Sequence, residues 1–151
     1  MNIQQRIDKG MAKYSENGKV ETLIQLGNTL LKEGYYVRAF EIHQLTRDNV
    51  GLTSCIDAFF RSRSYDQAEA ANLLCYGKKI PHQKYIEKAI HCAERGLLEE
   101  VQEIYTALKR DTPRHMIILC RDAQINMGFL HKAEAMSHLL DSPLSLEQIM
   151  R

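Results

Sequence analysis

The chain has 151 residues, with 20 basic against 19 acidic side chains and a net charge of +1, so no global field favours nucleic acid or an anionic membrane. Its length suits a single domain that buries roughly 70% of its unfolded surface. No apolar run approaches the ~20 residues of a membrane span. Met1 to Tyr14 also lacks the apolar core of a secretory signal, so a cytoplasmic location is expected.

In chain order, Ile3, Ile7, Met11 and Tyr14 recur every three or four residues and predict a helix within residues 1–16. Ser15-Glu16-Asn17-Gly18 should break it. Val20, Leu23, Ile24, Leu26, Leu30 and Leu31 then form a broad apolar stripe ending at Gly34, and a further helix runs through Phe40, Ile42 and Leu45. Thr46-Arg47-Asp48-Asn49 is a turn cluster. The next pair is predicted from about Gly51 to Ser62 and Tyr65 to Tyr76, stopped by Gly77. A third pair spans about Pro81 to Arg95 and Leu98 to Arg110. Asp111-Thr112-Pro113 offers a capping residue and a proline at a helix start, opening a fourth pair, Pro113 to Met127 and Leu130 to Leu140. Asp141-Ser142-Pro143 restarts a short last helix, Leu144 to Met150. No alternating run competes for a strand, and Pro81, Pro113 and Pro143 all fall at boundaries.

One signature recurs at the turn inside each pair. It starts at Gly34, Arg63, Gly96 and Gly128, so the spacings are 29, 33 and 32 residues. Two positions on stands a large apolar residue (Tyr36, Tyr65, Leu98, Leu130), and three further a small one (Ala39, Ala68, Val101, Ala133). A helical pair of this length cannot bury its apolar face alone, so neighbouring pairs must stack. The expected fold is all-α: a right-handed α-solenoid of about four helix–turn–helix repeats over residues 18–142. Capping helices at 1–16 and 143–151 would complete one domain over residues 1–151. Cys55, Cys75, Cys92 and Cys120 all fall at interior positions of the repeat, where a reduced thiol packs as a small hydrophobe.

The segment Leu26-Gly27-Asn28-Thr29-Leu30-Leu31-Lys32-Glu33-Gly34-Tyr35-Tyr36-Val37-Arg38-Ala39 resembles a tetratricopeptide (TPR) repeat. It carries that family's Leu-Gly in the first helix and its Gly-x-Tyr-x-x-Ala across the turn. The other copies are degenerate. Ile56 and Arg63 stand where the family prefers glycine; Gly96 and Ala89 are kept; Gly128 and Ala133 are kept, but Arg121 takes a small position. All spacings fall short of the family's 34 residues.

The resemblance implies that first helices line a concave groove and bind partners there. Its register places Ile24, Asn28, Leu31 and Lys32 on that surface, then Thr53, Asp57, Phe60 and Arg61. The third pair adds Ile86, Ile90, Ala93 and Glu94, and the fourth Ile118, Asp122, Ile125 and Asn126. So apolar a ribbon suits an amphipathic helical segment of another protein. In size and design the chain is similar to chaperones and adaptors of bacterial secretion systems. The basic clamp with which some TPR domains hold acidic chaperone tails is not matched: only Asn28 fits, and Ile24, Ser54, Gln83 and Glu87 fill the other positions.

Three competing uses follow from other residues. Lysines between Tyr76 and Lys88, interleaved with Tyr76 and Tyr85, would suit RNA as the alternative partner. Tyr35 and Phe129, just past turns, would suit a homodimer edge. For catalysis, His91-Cys92 and His115 with Cys120 lack paired zinc-ligand spacing, and neither a phosphate loop nor a nucleophile elbow is present. No enzyme activity, metal, cofactor or membrane partner is expected.

Overall fold

A computed structural model of the chain describes residues 2–17 and 20–141. Among these residues the regular elements are all helices: α1 Ile3–Asn17, α2 Val20–Lys32, α3 Tyr36–Thr46, α4 Asn49–Arg61, α5 Tyr65–Tyr76, α6 His82–Glu94, α7 Leu98–Ala107, α8 Arg114–Asn126 and α9 Leu130–Asp141. None of the described helices is long and apolar enough to cross a membrane. The predicted pairs are therefore present as α2–α3, α4–α5, α6–α7 and α8–α9. Several boundaries differ from the sequence reading, and α7 ends at Ala107, three residues before Arg110. Ser15, Glu16 and Asn17 continue α1 rather than breaking it, and α4 begins at Asn49, two residues before Gly51. The predicted C-terminal cap, 143–151 with its helix Leu144 to Met150, lies outside the described residues.

Helix ends follow one rule. Each of α2 to α8 is followed by a residue with positive φ: Gly34, Arg47, Arg63, Gly77, Gly96, Lys109 and Gly128. This left-handed step turns the backbone so that orphan carbonyls of the last helical turn are satisfied. After α2, the Tyr35 N–H donates to Leu30 O at 2.9 Å and the Gly34 N–H to Leu31 O at 3.1 Å. Equivalent six-residue closures join Ser64 to Phe59, Leu97 to Cys92 and Phe129 to Gln124. The four recurrent turns thus share one hydrogen-bonding scheme, although Arg63 must adopt a conformation that glycine takes more cheaply.

The chain divides into two compact units, residues 1–80 and 81–151. In the first, α1 packs on α2, α2 on α3 and α4, α3 on α4, and α4 on α5. Small residues allow the close approach: Ala39 and Ala68 are completely buried beside Leu23, Leu30 and Cys55. The Phe59 ring stands edge-on to Tyr36 and Phe40, with centroids 6.2 and 6.1 Å away. Such aromatic pairs contribute about 0.5–1.5 kcal/mol each beyond burial. Arg6 pairs with Glu33, joining α1 to the residue after α2.

In the second unit α6 packs on α7 and α8, α7 on α8, and α8 on α9. Its core gathers Tyr85, Ala89, Ala93, Val101, Ile104, Met116 and Cys120, with Ala133, Met136 and Leu140 from the last pair. The small residue of the signature is buried in all four copies, but the large one is not. Leu130 remains 66% exposed, where Tyr65 is only 7% exposed. The fourth pair therefore closes less of its turn.

Candidate partner-binding surface

Within each unit the first helices of consecutive pairs touch, α2 with α4 and α6 with α8. The residues predicted to face a partner can be followed unit by unit. On α2, Ile24 and Leu31 are half-buried and Asn28 and Lys32 exposed. On α4, Asp57 is half-buried and Arg61 exposed, while Thr53 and the Tyr76 hydroxyl are hydrogen-bonded. Phe60 corrects the sequence reading. It is 4% exposed, and its ring meets Tyr65 edge-on at 5.3 Å. The last turn of α4 folds over the start of α5, which turns Phe60 into core rather than binding surface. Ala93 is likewise completely buried.

The second unit keeps more apolar surface at the predicted positions. Ile90 on α6 is 39% exposed and Ile125 on α8 is 47% exposed, with Ile86 and Ile118 half-buried beside them. Glu87, Glu94 and Asp122 are exposed near this row. Asp122 Oδ1 lies 3.4 Å from Arg121 Nη2, and a surface pair of this kind stabilises little. Ile86 and Ile118 stand 32 residues apart, as do Ala93 and Ile125, so α6 and α8 carry this row in equivalent register.

Residues of the competing readings also have places. Tyr85 is 1% exposed, so its ring is core and has no face to offer a base. Tyr76 is 46% exposed, and Lys78, Lys79 and His82 are exposed. Side chains of α5 hold the loop after it: Glu69 Oε2 accepts from the Ile80 N–H at 3.1 Å, and Asn72 Nδ2 donates to Lys78 O at 2.8 Å. Tyr35 and Phe129 are 44% and 51% exposed. Val50, Leu73 and Leu74 expose further apolar surface that periodicity did not single out, and Leu45 is exposed as well.

Three thiols, Cys55, Cys92 and Cys120, are buried and Cys75 is half-buried, which corrects the expectation that all four are interior. Burial pushes Cys55 and Cys120 up to about 11, so both stay protonated and unreactive near neutral pH. The Cys92 thiol, also pushed up by burial, donates to Glu100 Oε2 at 3.5 Å. Among the described residues no group of three His, Cys, Asp or Glu side chains is placed to hold a metal ion. Set against protein-family models, curated proteins and solved structures, the chain matches none of them.

Two buried polar residues escaped the sequence reading. His43, on α3, is completely buried, and Gln124, on α8, is 5% exposed. Gln124 Nε2 donates to Gly96 O at 2.8 Å, fastening α8 to the turn between α6 and α7. The signal for His43 was present in two glycines inside helices, Gly27 and Gly51. A glycine there costs about 1 kcal/mol against alanine and needs a packing reason.

Proposed function

We propose that this chain is a non-catalytic protein-binding module of the TPR-like, α-solenoid type, holding an amphipathic helical segment of a partner along the apolar edge of its first helices. One observation carries the reading: Ile90 and Ile125 stay exposed on packed helices α6 and α8, beside half-buried Ile86 and Ile118. Ile86 and Ile118 hold equivalent register, and together with Ile90 and Ile125 they make an apolar surface of the kind that soluble proteins usually cover. Helix-in-groove recognition matches it, since anchors at three- and four-residue spacing can enter between such side chains. Stacking of first helix on first helix within each unit supports the repeat reading, as do the shared turns. A secretion-type chaperone or adaptor is the most concrete form of this function.

The test is co-purification from the source cells under nuclease treatment, comparing the parent with an Ile90→Glu, Ile125→Glu variant. Both sites are exposed, so the variant should keep its helical circular dichroism. A protein retained by the parent and lost by the variant is expected. Equal retention by both, or recovery of RNA alone, would sink the proposal and turn attention to Lys78 and Lys79.

A further inference from the structure

Of the six histidines, His82, His91, His115, His131 and His138 are exposed and His43 alone is buried, with no accessible surface at all. Its ring is held between two helices that approach through glycine. A Cβ on Gly27 of α2 would lie 2.8 Å from His43 Cε1 and Nε2, and one on Gly51 of α4 only 2.2 Å from Nδ1. His43 Nδ1 stands 3.1 Å from Asp48 Oδ2, in ion-pairing range but not aligned as a hydrogen bond. Nε2 has no hydrogen-bond partner among the described residues. Other titratable groups at this junction are few. Cys55 stands one turn beyond Gly51 and senses both Asp48 and Cys75, while Asp48 supplies the charge that acts on the ring.

We propose that His43 is a proton-sensitive wedge whose protonation loosens the packing of α2, α3 and α4 in residues 1–80. The neutral ring fits a fully buried space between two glycine backbones. An imidazolium there must bury a charge with one imperfectly aligned carboxylate and an Nε2–H that has no acceptor. Burial accordingly holds the imidazole below its ordinary value of 6.5, with Asp48 acting in the opposite sense. The unfolded chain takes up its proton first as pH falls, so this site contributes falling stability below about pH 6.5. The loss levels off once pH passes the lowered folded value. Because α2 and α4 carry Ile24, Asn28, Leu31 and Asp57, loosening would reach the proposed binding residues, but the wedge itself does not depend on that reading.

The experiment follows His43 ring protons by NMR in the full chain between pH 8 and 5. Amide exchange of α2, α3 and α4 is recorded beside it, for the parent, His43→Phe and Asp48→Asn. The parent should titrate His43 below 6.5, with the opening constant of these helices rising up to tenfold per pH unit through that window. His43→Phe should remove this slope. Asp48→Asn, which keeps the ring, should move the titration further down and extend the slope to lower pH. A parent His43 titrating at or above 6.5 would overturn the wedge, as would a His43→Phe variant that folds and keeps the parental slope. Should that variant not fold, an unmoved His43 titration in Asp48→Asn would overturn it equally.

Discussion

Gly51 holds the closest approach around His43, and the sign of its substitution is decided by two opposed effects. Alanine gains about 1 kcal/mol of helix propensity over glycine. Its Cβ would also enter the imidazole, within 2.2–2.5 Å of Nδ1, Cε1 and Cγ, and overpacking of this sort costs about 1–3 kcal/mol. Gly51→Ala is therefore expected to destabilise the chain by up to about 2 kcal/mol in urea unfolding. In a His43→Ala background the same change should be neutral or stabilising, and an identical cost in both backgrounds would contradict the wedge geometry. At this scale the sequence was only partly readable. Gly27 stood out as the small residue of a repeat motif, whereas Gly51 read as a helix start. Nothing marked His43 as fully buried, because apolar periodicity carries no information on a polar ring that two glycines admit.

The two ends of α7 carry opposite expectations at the scale of the element. Lys109 follows the helix with φ 58°, so a side chain sits where glycine is favoured. Lys109→Gly should stabilise by about 0.5–1 kcal/mol, less whatever the freer unfolded chain takes back. Gly96 precedes the helix with φ +73°, and a Cβ there would lie 2.5 Å from Gln124 Nε2. Gly96→Ala should cost about 1–3 kcal/mol through both strain and the lost Gln124 bond. Thermal unfolding of the two variants checks the pair; shifts of the same sign would refute this view of the turns. Helix order and the four recurrent turns were legible, since glycine, proline and 3.6-residue periodicity mark them locally. That Arg47 and Lys109 adopt the same left-handed step was not, because only the tertiary path demands it there.

For the whole molecule, the helical class was legible and the binding surface less so. Register put Ile24, Leu31, Ile86, Ile90, Ile118 and Ile125 on the partner-facing surface, and Ile90 and Ile125 are exposed and the other four half-buried, but it also put Phe60 there, which is buried. A one-dimensional register cannot tell whether the last turn of a helix is covered by the chain that follows. For Phe60 it is, through Tyr65; for Ile125 it is not, since the fourth turn leaves Phe129 and Leu130 exposed as well. The charge balance of +1 gives no long-range pull toward one partner, so the proposed recognition would rest on shape and apolar contact. That is a short-range mechanism, and it makes the isoleucine methyl groups the natural reporters.

The most direct measurement is a methyl NMR spectrum of isoleucine-labelled protein, with and without the partner recovered by co-purification. Shifts concentrated at Ile86, Ile90, Ile118 and Ile125 are the predicted result. Unmoved signals from these methyls, with binding still evident elsewhere in the chain, would contradict the proposed surface.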